Sequence, residues 1–162
     1  MAGPRDGEVV LPFDPAQRAA DGVTFIGRIR SPWFQGGAPK NLVQARESGQ
    51  NATVQLDPAY IPALDGLEAG QPVILLYWMD KAPRNIVVQN PHHTEGTRGT
   101  FALRSPARPN PIALAVVILQ GIDRDSGVLT IDAIDCHDDT PLLDIKPWKA
   151  SIDVPPGWRP AG

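Results

Sequence analysis

Gly99-Thr100-Phe101-Ala102-Leu103-Arg104-Ser105-Pro106-Ala107-Arg108-Pro109-Asn110-Pro111-Ile112-Ala113-Leu114-Ala115-Val116-Val117-Ile118-Leu119 reads as two strands held apart by a stiff polar loop. Pro106, Pro109 and Pro111 fix φ and delete backbone donors, which excludes helix and mid-sheet strand over residues 105–111. An apolar run at 112–119 follows at once, leaving no room for the dozen-residue crossover that a parallel sheet requires. A rigid loop carrying Arg104, Ser105, Arg108 and Asn110 between two core strands is where binding groups are expected.

Further strands are expected on both sides of this stretch. Residues 73–79 (Val-Ile-Leu-Leu-Tyr-Trp-Met) are continuously apolar, as for a strand buried on both faces, which places Trp78 in the core. Strands are also expected at 23–29, 52–56, 85–89, 128–134 and 142–145, with a hairpin connection at 121–127. Helix is confined to a turn or two within 40–49 and a short segment at 58–64, which Asp57 would cap ahead of Pro58. Strands this short and evenly spaced predict an all-β, mainly antiparallel fold, a barrel or a sandwich, with short helices and long loops. The division expected is an N-terminal tail at 1–22, one β domain at 23–150 and a C-terminal tail at 151–162.

The chain has 162 residues, enough for one domain with a useful core, and 18 prolines and 15 glycines favour many short elements over a helical bundle. Its single cysteine, Cys136, excludes an internal disulfide framework and fits a reducing compartment. The apolar runs fall far short of the ~20 residues of a membrane helix. No secretory pattern opens the chain, so a cytoplasmic location with no membrane contact is expected. No glycine-rich phosphate loop or dinucleotide fingerprint follows a strand, so any cofactor would be held by loops.

The net charge of −3 argues against indiscriminate nucleic-acid binding, but the charge is uneven. Lys81, Arg84, Arg98, Arg104 and Arg108 face only Glu95 within 81–108, whereas 120–145 holds seven aspartates and one arginine. The two segments could form opposite walls of a bipolar site, or two solvated faces that pair with each other. In Asp135-Cys136-His137-Asp138-Asp139-Thr140-Pro141, three carboxylates fall within five positions and need cations or donors close by. Cys136 and His137 are adjacent and would point to opposite faces of a strand, and His92-His93 with Glu95 has no second cluster, so no metal site is expected. Ser105 has no neighbouring base, which weakens a hydrolase reading.

Arg104-Ser105-Pro106-Ala107-Arg108-Pro109-Asn110-Pro111-Ile112, followed by Asp138-Asp139-Thr140-Pro141-Leu142-Leu143-Asp144-Ile145-Lys146-Pro147-Trp148, resembles the TsaA-like (YaeB/TrmO) family. The opening Ile26-Gly27-Arg28-Ile29-Arg30-Ser31-Pro32 is similar as well, and the likeness runs from about residue 23 to 148 in the same order and spacing. It implies a small β-barrel that binds S-adenosylmethionine and forms a homodimer with the cofactor near the interface. The implied activity is methylation of the exocyclic amine of a threonylcarbamoyl-adenosine beside the tRNA anticodon, with the anticodon stem-loop as partner.

By position, the resemblance puts cofactor contacts on Pro39, Lys40, Asn41, Asp80, Lys81, Arg104, Leu114, Asp135, Cys136, His137 and Asp138. Asn110 and Asp138 would orient the amine and accept its proton. Pro39-Lys40-Asn41 stands for the family's usual Pro-Arg-Gln, Asp80-Lys81 for His-Gln, Ala113 for a glycine, and Asp139 for the glycine of Asp-Gly-Thr-Pro. The chain is expected to end near the barrel, without the further C-terminal domain of longer bacterial members. Besides tRNA methylation, the sequence leaves open a divergent member that methylates a small molecule and a non-enzymatic S-adenosylmethionine-binding protein.

Overall fold

The computed structural model describes residues 4–18, 22–34 and 36–159. The strands are β1 (Val9–Val10), β2 (Gly27–Arg30), β3 (Ala52–Leu56), β4 (Pro72–Trp78), β5 (Ile86–Gln89), β6 (Arg98–Gly99), β7 (Ile112–Asp123), β8 (Val128–Ile131) and β9 (Thr140–Pro147). Helix α1 (Leu42–Glu47) and the single turn α2 (Ala150–Asp153) complete the regular structure with three 3-10 turns, at Pro15–Arg18, Pro58–Leu64 and Thr100–Ala102. Six strands close into an antiparallel barrel in the order β2-β3-β8-β7-β4-β9, so the expected all-β barrel is found. A second, three-stranded sheet, β1-β5-β6, lies apart from it in the pairing.

Small barrels fill with inward-pointing side chains that alternate along each strand. Here these are Ile29, Val54, Leu56, Val73, Leu75, Val117, Leu119, Leu129, Ile131 and Leu142, all essentially buried. β2 closes the ring by pairing with both β3 and β9, and Gly27 makes that possible, because a Cβ there would meet the Gln55 carbonyl oxygen and lie 2.9 Å from the Leu56 Cα.

The structure corrects several expectations. β4 alternates: Val73, Leu75 and Tyr77 are buried, whereas Ile74, Leu76 and Trp78 face outward and are half-buried. Trp78 is therefore not core. It packs on the outside, tilted against Phe25 with ring centroids 6.5 Å apart and with the Arg84 guanidinium 5.2 Å above its ring. Residues 99–103 form no strand beyond β6, because Thr100 turns inward, accepting from Gln89 Nε2 and donating to the Ile86 carbonyl. The first barrel strand begins at Gly27 rather than 23. β7 runs on to Asp123, and the hairpin turn that follows is braced by the Asp123 carboxylate, which accepts from Asp125, Ser126 and the Ser126 hydroxyl. Asp57 makes no side-chain cap to the turn that follows it. Within the expected N-terminal tail, Val9 and Val10 pair with β5. Residues 1–3, 19–21 and 160–162 of the expected tails lie outside the described residues.

Two features position the site. β7 pairs with β4 from Ile112 to Ile118 along one edge, but with β8 only from Leu119 onward, after a slip between Leu119 and Gly121. The other edge of its first half is thus open. Beside that edge lie α1, Ser105 and Pro106 of the proline loop, and Asp135 of the aspartate loop.

Candidate functional site

The open edge of β7 forms one wall of a cavity of about 680 Å³. Arg104 Nη2 donates to the Leu114 carbonyl and Arg46 Nη2 to the Val116 carbonyl, so two arginines cap the edge. In an extended strand the N–H and C=O of one residue point to the same side, so the amides of Leu114 and Val116 face the same edge. Pro39, Lys40, Asn41, Leu42, Val43, Tyr77 and Asp135 also line the cavity. The Asn41 carboxamide oxygen accepts from the Gln44 amide and fixes the start of α1. Arg46 is held at 2.8 Å by Asp132, whose other oxygen accepts from the Ile118 amide.

A second cavity of about 170 Å³ adjoins the first at Met79 and Pro106, and Asp80, Lys81, His137 and Asp138 line it. Ten of the eleven positions predicted for cofactor contact therefore line these two joined cavities: Pro39, Lys40, Asn41, Arg104, Leu114 and Asp135 the larger, Asp80, Lys81, His137 and Asp138 the smaller. Cys136 lines neither. It is 1% exposed, and burial pushes its thiol up to about 12, so it is a core residue without ready nucleophilic character. Asn110 is also absent from both linings; its side-chain oxygen accepts from Arg84 Nη2 at 3.3 Å.

The proline loop is built as rigidly as its composition implies. Arg84 Nε donates to the Pro109 carbonyl, Gln89 Nε2 to that of Ala107, and Arg108 Nη1 to those of Leu103 and Ser105. The Ser105 hydroxyl accepts from the Ala107 amide and serves the loop's own turn. The aspartate loop is framed by the end of β2. The amides of Asp138 and Asp139 donate to the carbonyls of Trp33 and Ile29, the Ser31 hydroxyl donates to the Cys136 carbonyl, and Trp33 Nε1 donates to that of Ile134. Asp139 has φ 67°, the left-handed region where aspartate is among the better-tolerated residues after glycine.

The basic and acidic segments do not pair with each other among the described residues. Arg84, Arg104 and Arg108 bind backbone carbonyls, while Asp138 and Asp139 lie near Arg30, at 3.8 and 2.9 Å, and Arg28 donates to the Asp139 carbonyl. From these two segments Arg104 and Asp135 face the larger cavity with no ion pair between them, beside Lys40 and the Asp132-bound Arg46.

Tyr77 was missed by sequence reasoning. It is 3% exposed and donates its hydroxyl to Asp135 Oδ1 at 3.1 Å. Burial first, and then the charge of Asp135, hold its phenol far above the ordinary range, with Arg104 opposing. A polar-tipped ring amid a seven-residue apolar run was the only available signal. Among the described residues, no group of three or more His, Cys, Asp or Glu is placed to hold a metal, and no helix is long and apolar enough to cross a membrane.

Residues 28–154 match the family described as the tRNA-methyltransferase O N-terminal domain. A probable S-adenosyl-L-methionine-binding protein, VirR, of Rhizobium radiobacter is 38% identical over 124 residues, 76% of this chain and 68% of its own length. A probable S-adenosyl-L-methionine-binding protein of Methanothermobacter thermautotrophicus is 36% identical over 129 residues, 79% of this chain and 90% of its own. The crystal structure of TrmO from Pseudomonas aeruginosa superposes with a TM-score of 0.66 at 31% identity, covering 87% of this chain and 62% of that one. The chain thus spans under two thirds of that TrmO structure. By the extent of the family match and by these identities, the chain belongs to the tRNA-methyltransferase O N-terminal domain family.

Proposed function

We propose that the protein is a cytoplasmic S-adenosylmethionine-dependent methyltransferase. Its acceptor would be the exocyclic amine of a threonylcarbamoyl-adenosine beside the anticodon, presented by the tRNA stem-loop. The observation that carries this reading is the bipolar cavity along the open edge of β7, where an arginine and a carboxylate stand without pairing to each other. The donor set fits the cofactor. Arg104 offers a planar fork for its carboxylate, Asp135 an acceptor for its ammonium or ribose hydroxyls, and the edge amides of Leu114 and Val116 donors for its base. Leu42, Val43 and Leu114 supply apolar surface for the ring.

The bound cofactor supplies an electrophilic methyl group, and the chain's own task is to place the acceptor amine in line with it. Positioning of this kind provides most of the rate in such a transfer. Asp138 lines the smaller cavity, where it would receive the proton that the amine sheds. The Ser31 amide, donating to its Oδ1 at 3.1 Å, fixes its direction. Asn110, outside both cavities, would act on the shape of the loop instead. We further propose a homodimer, supported by the apolar outer face of β7 beside the cavity, where Ile112, Leu114 and Ile118 are exposed.

Titration calorimetry with S-adenosylmethionine, followed by incubation of the loaded protein with tRNA carrying threonylcarbamoyl-adenosine, tests this reading. The expected result is saturable binding and appearance of the N6-methylated nucleoside in the digested tRNA. Binding without methylated tRNA would overturn the acceptor assignment, and no binding would overturn the whole reading.

A further inference from the structure

Tyr77 is a buried hydroxyl at the wall of the larger cavity that the proposed chemistry leaves without a task. We propose that Tyr77 is a positioning residue that turns Asp135 into an oriented acceptor for the α-ammonium of an amino-acid-bearing ligand whose carboxylate lies on Arg104. This inference rests on the cofactor reading above and deepens it, by stating which end of the ligand meets which wall.

Tyr77 is the last buried residue of β4, where pairing with β9 slips between Leu76 and Tyr77. Its ring fills the end of the barrel and its oxygen reaches the aspartate loop. The hydroxyl donates to one carboxylate oxygen of Asp135. Because burial and the neighbouring negative charge keep that phenol protonated, it is a permanent donor toward Asp135. One carboxylate oxygen is thereby fixed, and Tyr77, Arg104 and Asp135 line one space together.

Across that space Arg104 spends one guanidinium nitrogen on the Leu114 carbonyl and has no carboxylate partner among the described residues. Asp135 likewise has no cation within ion-pairing distance among them. A guanidinium and a carboxylate that share one cavity at more than salt-bridge distance are complementary to a zwitterion placed between them. An α-amino acid has this form, with carboxylate and ammonium on one carbon. Each charged group gains a charge-assisted bond, stronger than its neutral equivalent. A diol would satisfy Asp135 alone and leave Arg104 unpaired.

The test compares two ligands on two proteins by calorimetry. S-adenosylhomocysteine carries the amino-acid end, and 5′-methylthioadenosine is the same nucleoside thioether without it. Tyr77→Phe keeps the ring that packs the barrel and removes only the donor. The expected result is about tenfold weaker binding of S-adenosylhomocysteine to the variant, with 5′-methylthioadenosine unchanged within about twofold. In an Asp135→Asn background Tyr77→Phe should add nothing, since the two groups act as a unit. Equal weakening of both ligands, or of neither, would overturn the inference and assign the Tyr77–Asp135 bond to packing alone.

If Tyr77→Phe fails to fold, the unmutated protein gives the answer with S-adenosylhomocysteine against its deaminated analogue. Weaker binding of the analogue by about tenfold or more is then expected, and equal binding overturns the inference. Unmutated protein that binds S-adenosylhomocysteine no tighter than 5′-methylthioadenosine would sink the zwitterion site and leave the cofactor reading standing. Binding of neither would sink both.

Discussion

Arg104 and Arg108 stand four positions apart in one loop and are the same side chain, yet their surroundings give them different tasks. Arg108 Nη1 donates to the carbonyls of Leu103 and Ser105 at 3.1 and 3.0 Å, and Nη2 approaches that of Thr100 at 3.4 Å. It ties together a loop whose prolines have left few backbone donors. Among the described residues Arg104 makes a single bond, to the Leu114 carbonyl, and it lines the larger cavity. Hydrogen bonds from a charged donor contribute about 1.5–3 kcal/mol when their acceptors would otherwise be left buried and unmet. Arg108→Ala should therefore lower stability by about 1–3 kcal/mol in denaturant or thermal unfolding. Arg104→Ala should leave the unfolding transition nearly in place and weaken S-adenosylmethionine by about 1.5–3 kcal/mol, roughly ten- to a hundredfold by calorimetry. A variant pair with these outcomes exchanged would reverse the assignment of structural and binding arginine.

In the small sheet, one carboxylate helps tie the first strand to β5. Glu8 is the clip that holds the first strand to β5: its carboxylate accepts from the amides of Arg5 and Asn90 and pairs with the Arg5 guanidinium at 3.1 Å. Those two backbone donors, ahead of the Arg5 charge, hold the Glu8 carboxyl below its ordinary 4.5. A carboxyl depressed on folding contributes stability that is whole above the unfolded value and fades as pH falls through the folded one. The amides of Leu11 and Asn90, bonded to Asn85 and Glu8, should therefore lose protection from exchange as pH drops below about 4.5, while the barrel amides keep theirs. Glu8→Gln should loosen the same segment already at pH 7, and equal protection in both proteins would remove the clip. This segment was not legible in the sequence, because two valines among prolines carry no period to read. Strand positions that alternate or are bounded by turn residues, such as 52–56, were legible to the residue. β4 reads as buried on both faces because its outward Ile74, Leu76 and Trp78 are apolar too, so composition conceals an alternation that only a solvent-facing polar residue would reveal. In the site, composition marks the proline and aspartate loops, the individual contact positions come only with the family resemblance, and Tyr77 enters the cavity where pairing with β9 slips, which no local pattern encodes.

At the scale of the whole molecule, the barrel's inner face is filled and its outer face is not uniformly polar. Along β7 the outward residues Ile112, Leu114 and Ile118 are 43, 42 and 38% exposed, and Ile74 and Leu76 continue the apolar surface on the adjacent β4. An apolar row of this kind beside a ligand cavity is characteristic of a protein interface. A two-fold pairing through β7 would bring the cavities of two copies to the same seam. Ile118 lines neither cavity, so it separates assembly from ligand contact. Ile118→Arg places a charge at one end of the row, where a dimer built on this face would have to bury it. Light scattering on the eluted protein should then show a dimer for the unmutated chain and a monomer for the variant, with the barrel's thermal transition kept. A monomer in both would end the proposed homodimer, and a dimer in both would move it to another face. Calorimetry on the monomeric variant then carries the last step. Weakened S-adenosylmethionine binding would mean that the partner subunit completes the cavity, whereas unchanged affinity would mean that one open β7 edge with Arg104, Tyr77 and Asp135 is a whole site.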